Sequence, residues 1–165
     1  MTATRVAVAA GSNLGDRRAH LDWAFDALRG HLDGLRVSSY YDTEPVDVPG
    51  PQPPYLNAAA VGETALAPAE LLAVLLDLER ARGRVRPSPR APRTLDLDLI
   101  LYGDLVQSAP GLELPHPRFR ERRFVLEPLA ELAPEWRDPV TGRTVREHLS
   151  VLTGDRRAHG GAEPS

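Results

Sequence analysis

The stretch Pro92-Arg93-Thr94-Leu95-Asp96-Leu97-Asp98-Leu99-Ile100-Leu101 alternates leucine with carboxylate, and alternation at period two is the pattern of a β-strand. Every second side chain of a strand leaves the same face, with Cα atoms about 6.5–7 Å apart. Asp96 and Asp98 therefore point together, while Leu95, Leu97, Leu99 and Leu101 enter the opposite, apolar face. Aspartate is disfavoured in strands, so two on one face ask for a reason beyond solubility. Paired carboxylates suit one or two hard divalent cations. A half-exposed strand with an acidic outer face has the same pattern, and on alternation alone the two readings stand level.

The residues just before the strand tip the balance. Arg80, Arg82, Arg84, Arg86, Arg90 and Arg93 follow one another with no acidic residue between them, among Pro87, Pro89 and Pro92. Proline forbids regular helix there and lacks the donor a ladder needs. The segment reads as a restrained cationic loop leading directly into the two-aspartate strand. Guanidinium forks bind phosphate oxygens bidentately, and carboxylate-held Mg2+ commonly bridges substrate phosphates. A cationic loop beside a metal strand is the equipment of phosphoryl-type transfer, where catalysis is mostly positioning and charge neutralisation. The plainer reading is a solvated arginine loop that balances acidic neighbours.

Bulk composition sets the frame. A chain of 165 residues is most simply one domain, able to bury about 68–70% of its unfolded surface. The net charge of −3 argues against a general polyanion binder, so no nucleic-acid partner is expected. All 20 basic residues are arginine, which excludes lysine chemistry and a Walker-type lysine. The absence of cysteine removes disulfides, thiolate nucleophiles and cysteine-bound zinc. The apolar run Val6-Ala7-Val8-Ala9-Ala10 is too short for a signal peptide or a membrane span. A cytoplasmic protein without a membrane partner, working as a monomer, is the expectation.

Along the chain, residues 5–10 read as a buried strand and Gly11-Ser12-Asn13-Leu14-Gly15 as a turn. Leu21, Ala24, Phe25, Leu28 and Leu32 mark an amphipathic helix. A second strand is expected over 35–41, a Pro-rich loop over 42–54 and a third strand over 55–63. Pro68 stands where proline suits a helix start, and Leu71, Leu72, Leu75 and Leu78 form that helix's inner face. The aspartate strand follows, and Tyr102-Gly103-Asp104 turns the chain. A helix over 124–132, interrupted or offset by Pro128, is expected next. Thr144 and Glu147 have capping-box spacing and should begin a last helix ending near Leu152. The single domain is placed at 1–152, with a frayed tail over 153–165. The order β-α-β-β-α-β fits an α+β, ferredoxin-like core with C-terminal helical additions, a fold that specifies no function by itself.

Three further segments carry chemistry. Tyr55 and Asn57 share a strand face, an aromatic plane beside an amide able to read a flat heterocycle; a packed tyrosine and a strand-edge asparagine is the plain alternative. His116-Pro117-Arg118-Phe119-Arg120-Glu121-Arg122-Arg123-Phe124 is a second cationic segment, with a histidine for phosphate and aromatic rings for stacking. Gly11-Ser12-Asn13-Leu14-Gly15 has neither the dinucleotide nor the P-loop spacing, so a structural turn is preferred.

Taken in order, these residues closely resemble the 6-hydroxymethyl-7,8-dihydropterin pyrophosphokinase family. The match runs from Gly11-Ser12-Asn13-Leu14 through Thr43-Glu44-Pro45, Tyr55-Leu56-Asn57-Ala58 and Gly83-Arg84-Val85-Arg86 to the aspartate strand and His116-Pro117-Arg118, reaching about Pro134. The resemblance implies pyrophosphoryl transfer from ATP to the hydroxymethyl group of the reduced pterin, releasing AMP, in folate biosynthesis. It implies that Asp96 and Asp98 hold two Mg2+ ions bridging the ATP phosphates. Arg84 and Arg93 would neutralise the transferring group, with Arg86, His116 and Arg122 seating the triphosphate. Glu79 and the backbone near Leu99 would contact the nucleoside. The pterin would lie between Tyr55 and Phe124, its edge read by Asn57, Thr43 and the backbone at Pro45 and Val46.

The chain departs from the family in its arginine loop. Arg90-Ala91 stand where relatives carry Trp-Gly, the loop is one residue shorter, and Pro87 replaces a frequent basic residue. A weaker lid is the expectation, so Arg90→Trp should tighten substrate binding; unchanged affinity and turnover would refute it. Two rival functions share the strand. Another Mg-dependent nucleotidyl or phosphoryl transferase would release ADP or pyrophosphate. A non-catalytic ferredoxin-like nucleotide-binding module would bind without magnesium and survive Asp96→Ala.

Overall fold

The computed structural model describes residues 3–43, 54–82 and 94–153. Pro45, Val46, Arg84, Arg86, Arg90 and Arg93, and the tail from 154, lie outside the described residues. The elements are β1 (Thr4–Ser12), α1 (Arg17–Leu28), β2 (Asp33–Val37), β3 (Tyr41–Thr43), β4 (Tyr55–Thr64), α2 (Pro68–Arg82) and β5 (Asp96–Tyr102). They are followed by β6 (Gln107–Ala109), β7 (Leu112–Leu114), a 3-10 turn at Phe119–Glu121, α3 (Arg123–Leu132) and α4 (Val145–Thr153). The main sheet runs β2-β4-β1-β5, with β3 beside β4, and β6 pairs β7 separately. Every pairing is antiparallel. The chain is thus a mixed α/β domain built on an antiparallel sheet.

β1 and β4 form the centre because both are apolar on both faces, as a strand covered from two sides must be. On one face, Leu21, Phe25 and Leu28 of α1 and Leu71 and Leu75 of α2 pack over Val6, Val8, Ala58 and Ala60. Leu95, Leu97 and Leu99 complete that layer, as alternation predicts. On the other face, Val125, Leu126 and Leu129 of α3, with Phe119 and Val145, cover Ala7, Ala9, Ala59 and Val61.

Several expectations are corrected. Leu101 belongs to the second face, not to the face of the other leucines. The register shifts between Ala7 and Val8, so that Val8 pairs Leu99 while Ala7 pairs Leu101. Ile100 is the extra residue, and a bulge of this kind reverses the alternation beyond it. Gly11 and Ser12 are not a turn but the end of β1, paired with Asn57 and Leu56. The expected second strand divides into β2 and β3. Ala59 N–H donates to the Ser38 hydroxyl at 2.9 Å, a side chain in place of a ladder carbonyl, and the backbone steps away there.

α3 runs through Pro128 without a break. The ring forfeits only the bond to the Phe124 carbonyl, and Pro128 is itself buried against the sheet. The Thr144–Glu147 capping box forms as its spacing predicts: Glu147 N–H donates to Thr144 Oγ1 at 3.1 Å and Thr144 N–H to Glu147 Oε1 at 2.8 Å. The helix it opens reaches Thr153, one residue past the expected boundary.

Candidate active site

Strand register places the acid pair. Gly11 pairs with Asp96 on one side and Asn57 on the other; Ala9 likewise joins Asp98 to Ala59. Paired residues share a face, so Asp96 and Asp98 project together on the α3 side of the sheet, over the small residues Gly11 and Ala9. Their neighbours Leu95, Leu97 and Leu99 are buried on the opposite side. The expectation of two carboxylates on one face holds.

Glu79, in the last turns of α2, reaches this pair from the outer edge of β5. Its Oε2 accepts Leu97 N–H at 2.7 Å. Burial pushes the Glu79 carboxyl up to about 7, and the adjoining Asp96 and Asp98 charges push the same way against the Leu97 bond. The pH consequence has a definite sign. A carboxyl raised in the folded state contributes stability that is present below its ordinary value of 4.5 and lost as pH rises through about 7. The Tm of the metal-free protein should fall across that window and level off above it. Glu79→Gln keeps an acceptor for Leu97 and should remove the fall; a melting profile of unchanged slope would refute this assignment.

His116 approaches Asp96 from the segment before α3, and Arg122 of the same segment stands beside His116. His116 N–H donates to the Ile100 carbonyl at 2.9 Å, which fixes the segment to β5. Burial, with the Arg122 charge, lowers the His116 pKa although Asp96 opposes it, so the ring is neutral near pH 7. Its Nδ1 accepts Arg118 N–H at 3.2 Å, which leaves the proton on Nε2 as a donor. Arg122 stacks on Phe124, its guanidinium carbon 5.5 Å from the ring centroid. Along the same edge of β5 lies a cavity of about 280 Å³, lined by Leu72, Leu97, Asp98, Leu99, Leu112 and His116 among others. The backbone near Leu99 thus fronts a cavity that contains one aspartate and the histidine. A larger cavity of about 320 Å³, at Arg5, Arg36, Glu63 and Trp136, holds none of the expected site residues.

Tyr55 and Asn57 also stand on the α3 side. Asn57 Nδ2 donates to Thr43 Oγ1, across the β3–β4 pairing in which Thr43 faces Tyr55. Both side chains lean over Gly11: a Cβ there would meet Asn57 Oδ1 at 2.9 Å and Tyr55 Cδ1 at 3.4 Å. The structure therefore brings together Thr43, Tyr55, Asn57, Asp96 and Asp98 on one sheet face, with Glu79, His116, Arg122 and Phe124 at its borders.

Sequence reasoning missed three contributors. Gly11 has the sequence pattern of a turn, although its lack of a side chain is what admits the Asn57 amide. Arg17 of α1 ties both flanks of segment 44–53, donating from Nη1 to Asp42 Oδ1 and to the Pro54 carbonyl, each at 2.8 Å. Glu131 of α3 accepts from Tyr41 Oη at 2.8 Å and from Ser39 N–H, seating β3. The last two are long-range contacts with no local signal in the sequence.

The donor set fits a hard cation: oxygen ligands only, two of them on one strand face. Among the described residues no group of three or more His, Cys, Asp or Glu is arranged to hold a metal. Mg2+ commonly takes one or two carboxylates and completes its shell with water and substrate phosphates.

Among solved structures, the Plasmodium falciparum HPPK-DHPS wild type superposes with a TM-score of 0.74 at 13% identity, covering 98% of this chain and 47% of that one. The present chain thus spans under half of that protein, and the likeness shows a shared fold. Residues 7–134 match the family described as 7,8-dihydro-6-hydroxymethylpterin-pyrophosphokinase (HPPK). The 2-amino-4-hydroxy-6-hydroxymethyldihydropteridine pyrophosphokinase of Pseudomonas aeruginosa is 43% identical over 150 residues, covering 89% of this chain and 91% of its own. The protein of the same name from Methylorubrum extorquens is 43% identical over 152 residues, 90% of this chain and 94% of its own. The chain belongs to the 7,8-dihydro-6-hydroxymethylpterin pyrophosphokinase family.

Proposed function

We propose that this protein transfers the pyrophosphoryl group of ATP to the hydroxymethyl group of 6-hydroxymethyl-7,8-dihydropterin and releases AMP, a step of folate biosynthesis. The observation that carries the reading is the placement of Asp96 and Asp98 on one sheet face, in register with Gly11 and Asn57, in a chain of this family.

In this reading Asp96 and Asp98 hold two Mg2+ ions. When bound, these neutralise charge on the ATP phosphates and on the departing AMP oxygen. The protein's own groups do the rest. The cavity along β5 takes the nucleoside, bordered by Leu97, Leu99 and Leu112. His116 donates from Nε2 to a phosphate oxygen and Arg122 supplies a guanidinium beside it. Arg84 and Arg93, outside the described residues, are assigned by resemblance to the transferring group, and Arg86, likewise outside them, to the triphosphate seat. Tyr55 and Phe124 stack the pterin, while Asn57, with Thr43 as its partner, reads the ring edge together with Pro45 and Val46. Transfer of this kind needs positioning and charge neutralisation more than a strong base.

The same reading takes the core to be ferredoxin-like, which the β2-β4-β1-β5 order and the placement of α1 and α2 on one face support. It takes the protein to be a cytoplasmic monomer. Among the described residues no helix is long and apolar enough to cross a membrane. One assay tests the reaction: ATP, Mg2+ and the reduced hydroxymethylpterin, with the product nucleotide identified by chromatography. AMP formed only when the pterin is present is the expected result; ADP or free pyrophosphate as product would overturn it.

A further inference from the structure

The loop between α3 and α4 contains a carboxylate that the reaction does not touch. Asp138 has a fully buried side chain and meets Arg120 with both oxygens, Oδ1 accepting Nη2–H at 3.0 Å and Oδ2 accepting Nε–H. Oδ2 also receives Thr141 Oγ1–H at 3.0 Å and lies 3.0 Å from His148 Nε2, while Oδ1 accepts Val140 N–H at 2.9 Å. Hydrogen bonds to the ionised form outweigh burial and hold the Asp138 carboxyl well below the usual range. A buried carboxylate this fully satisfied specifies one geometry for its partners.

Its principal partner matters because of where it sits. Arg120 is the middle residue of the 3-10 turn Phe119–Glu121. That turn links the two phosphate-side groups: Phe119 N–H donates to the His116 carbonyl and Arg122 N–H to the Phe119 carbonyl, each at 3.3 Å. Phe119 is itself buried, with the His148 ring edge-on at 5.9 Å and the Arg120 guanidinium at 5.1 Å. The turn has no side-chain cap. Its other ion pair, Arg118–Glu121 at 3.7 Å, is exposed and of the kind worth little. Asp138 is therefore a second firm anchor of the 116–122 segment, holding its turn as the bond from His116 N–H to the Ile100 carbonyl holds its start.

We propose that Asp138 is a positioning residue for ATP, acting through Arg120 to hold His116 and Arg122 at the acid pair. This inference rests on the reading of His116 and Arg122 as the triphosphate seat. The test measures Mg-ATP and pterin dissociation constants separately for Asp138→Asn, His116→Ala, Arg122→Ala and the pairwise combinations. Asp138→Asn should weaken Mg-ATP about 10-fold (about 1.4 kcal/mol), leave pterin binding within about 2-fold, and have a smaller effect once His116 or Arg122 is already alanine. If Asp138→Asn weakens both ligands alike, or neither, while His116→Ala weakens Mg-ATP, the positioning role is overturned and the phosphate seat stands. If His116→Ala and Arg122→Ala leave Mg-ATP unchanged, the seat itself is misassigned and the inference falls with it. Should Asp138→Asn fail to fold, Arg120→Lys, which keeps the charge and loses the fork, is measured against the same outcomes.

Discussion

Replacing Asp96 or Asp98 with asparagine should lower kcat by roughly 10²- to 10⁴-fold, the equivalent of about 3–5 kcal/mol of transition-state stabilisation. Asparagine preserves shape and strand pairing, so the loss isolates the charge that grips the cation. Pterin affinity should change little, because Tyr55, Asn57 and Thr43 belong to other strands. The metal-free Tm should rise, since burial pushes Glu79 up to about 7 and the Asp96 and Asp98 charges crowded beside it add to that push. Steady-state rates at saturating Mg2+, set beside melting curves, separate the two effects. Turnover that survives both substitutions would remove the acid pair from the chemistry. Nucleotide binding that persists without magnesium would favour a module that binds and does not react.

Gly11→Ala should weaken the pterin by roughly 10- to 100-fold while sparing Mg-ATP. The added Cβ would lie 2.9 Å from Asn57 Oδ1, closer than packed atoms tolerate. The neighbour is the tip of a side chain, so the fold can yield. The Asn57 amide, however, is buried and already engaged with Thr43, and must leave its place. A recognition bond lost in a desolvated site costs about 1–3 kcal/mol, which sets the expected factor. Fluorescence titration with the pterin, alongside nucleotide binding by calorimetry, reads the split. Equal weakening of both ligands, or a large fall in Tm, would mean that Gly11 serves the sheet rather than the ring pocket.

Much of this architecture is legible in local patterns, and its exceptions share a cause. The helices follow from the spacing of Leu21, Phe25 and Leu28 and of Leu71 and Leu75, because a single buried stripe writes a 3.6 period into the chain. The capping box at Thr144 is equally local. The Asp96–Asp98 face is legible because a strand alternates; Leu101 escapes that pattern because a bulge is a property of two paired strands, invisible in either alone. Gly11 hides its role for the same reason. A glycine after an apolar run looks like punctuation until Asn57 is found lying across it. The site residues of the strand and of the His116 segment were legible as chemistry, but their convergence is tertiary. Glu79 meets Asp96 only because α2 packs beside the edge of β5, and Arg17 and Glu131 act over separations that no window spans.

β5 closes the sheet on one side, and its outward backbone does not face empty water. Leu97 N–H is taken by Glu79, and the Ile100 carbonyl by His116 N–H. A strand end with open donors and acceptors is a template on which a second molecule can dock and stack into fibrils. Here the groups that border the acid pair also act as stoppers, so resistance to self-association and the shape of the nucleotide crevice are properties of the same two bonds.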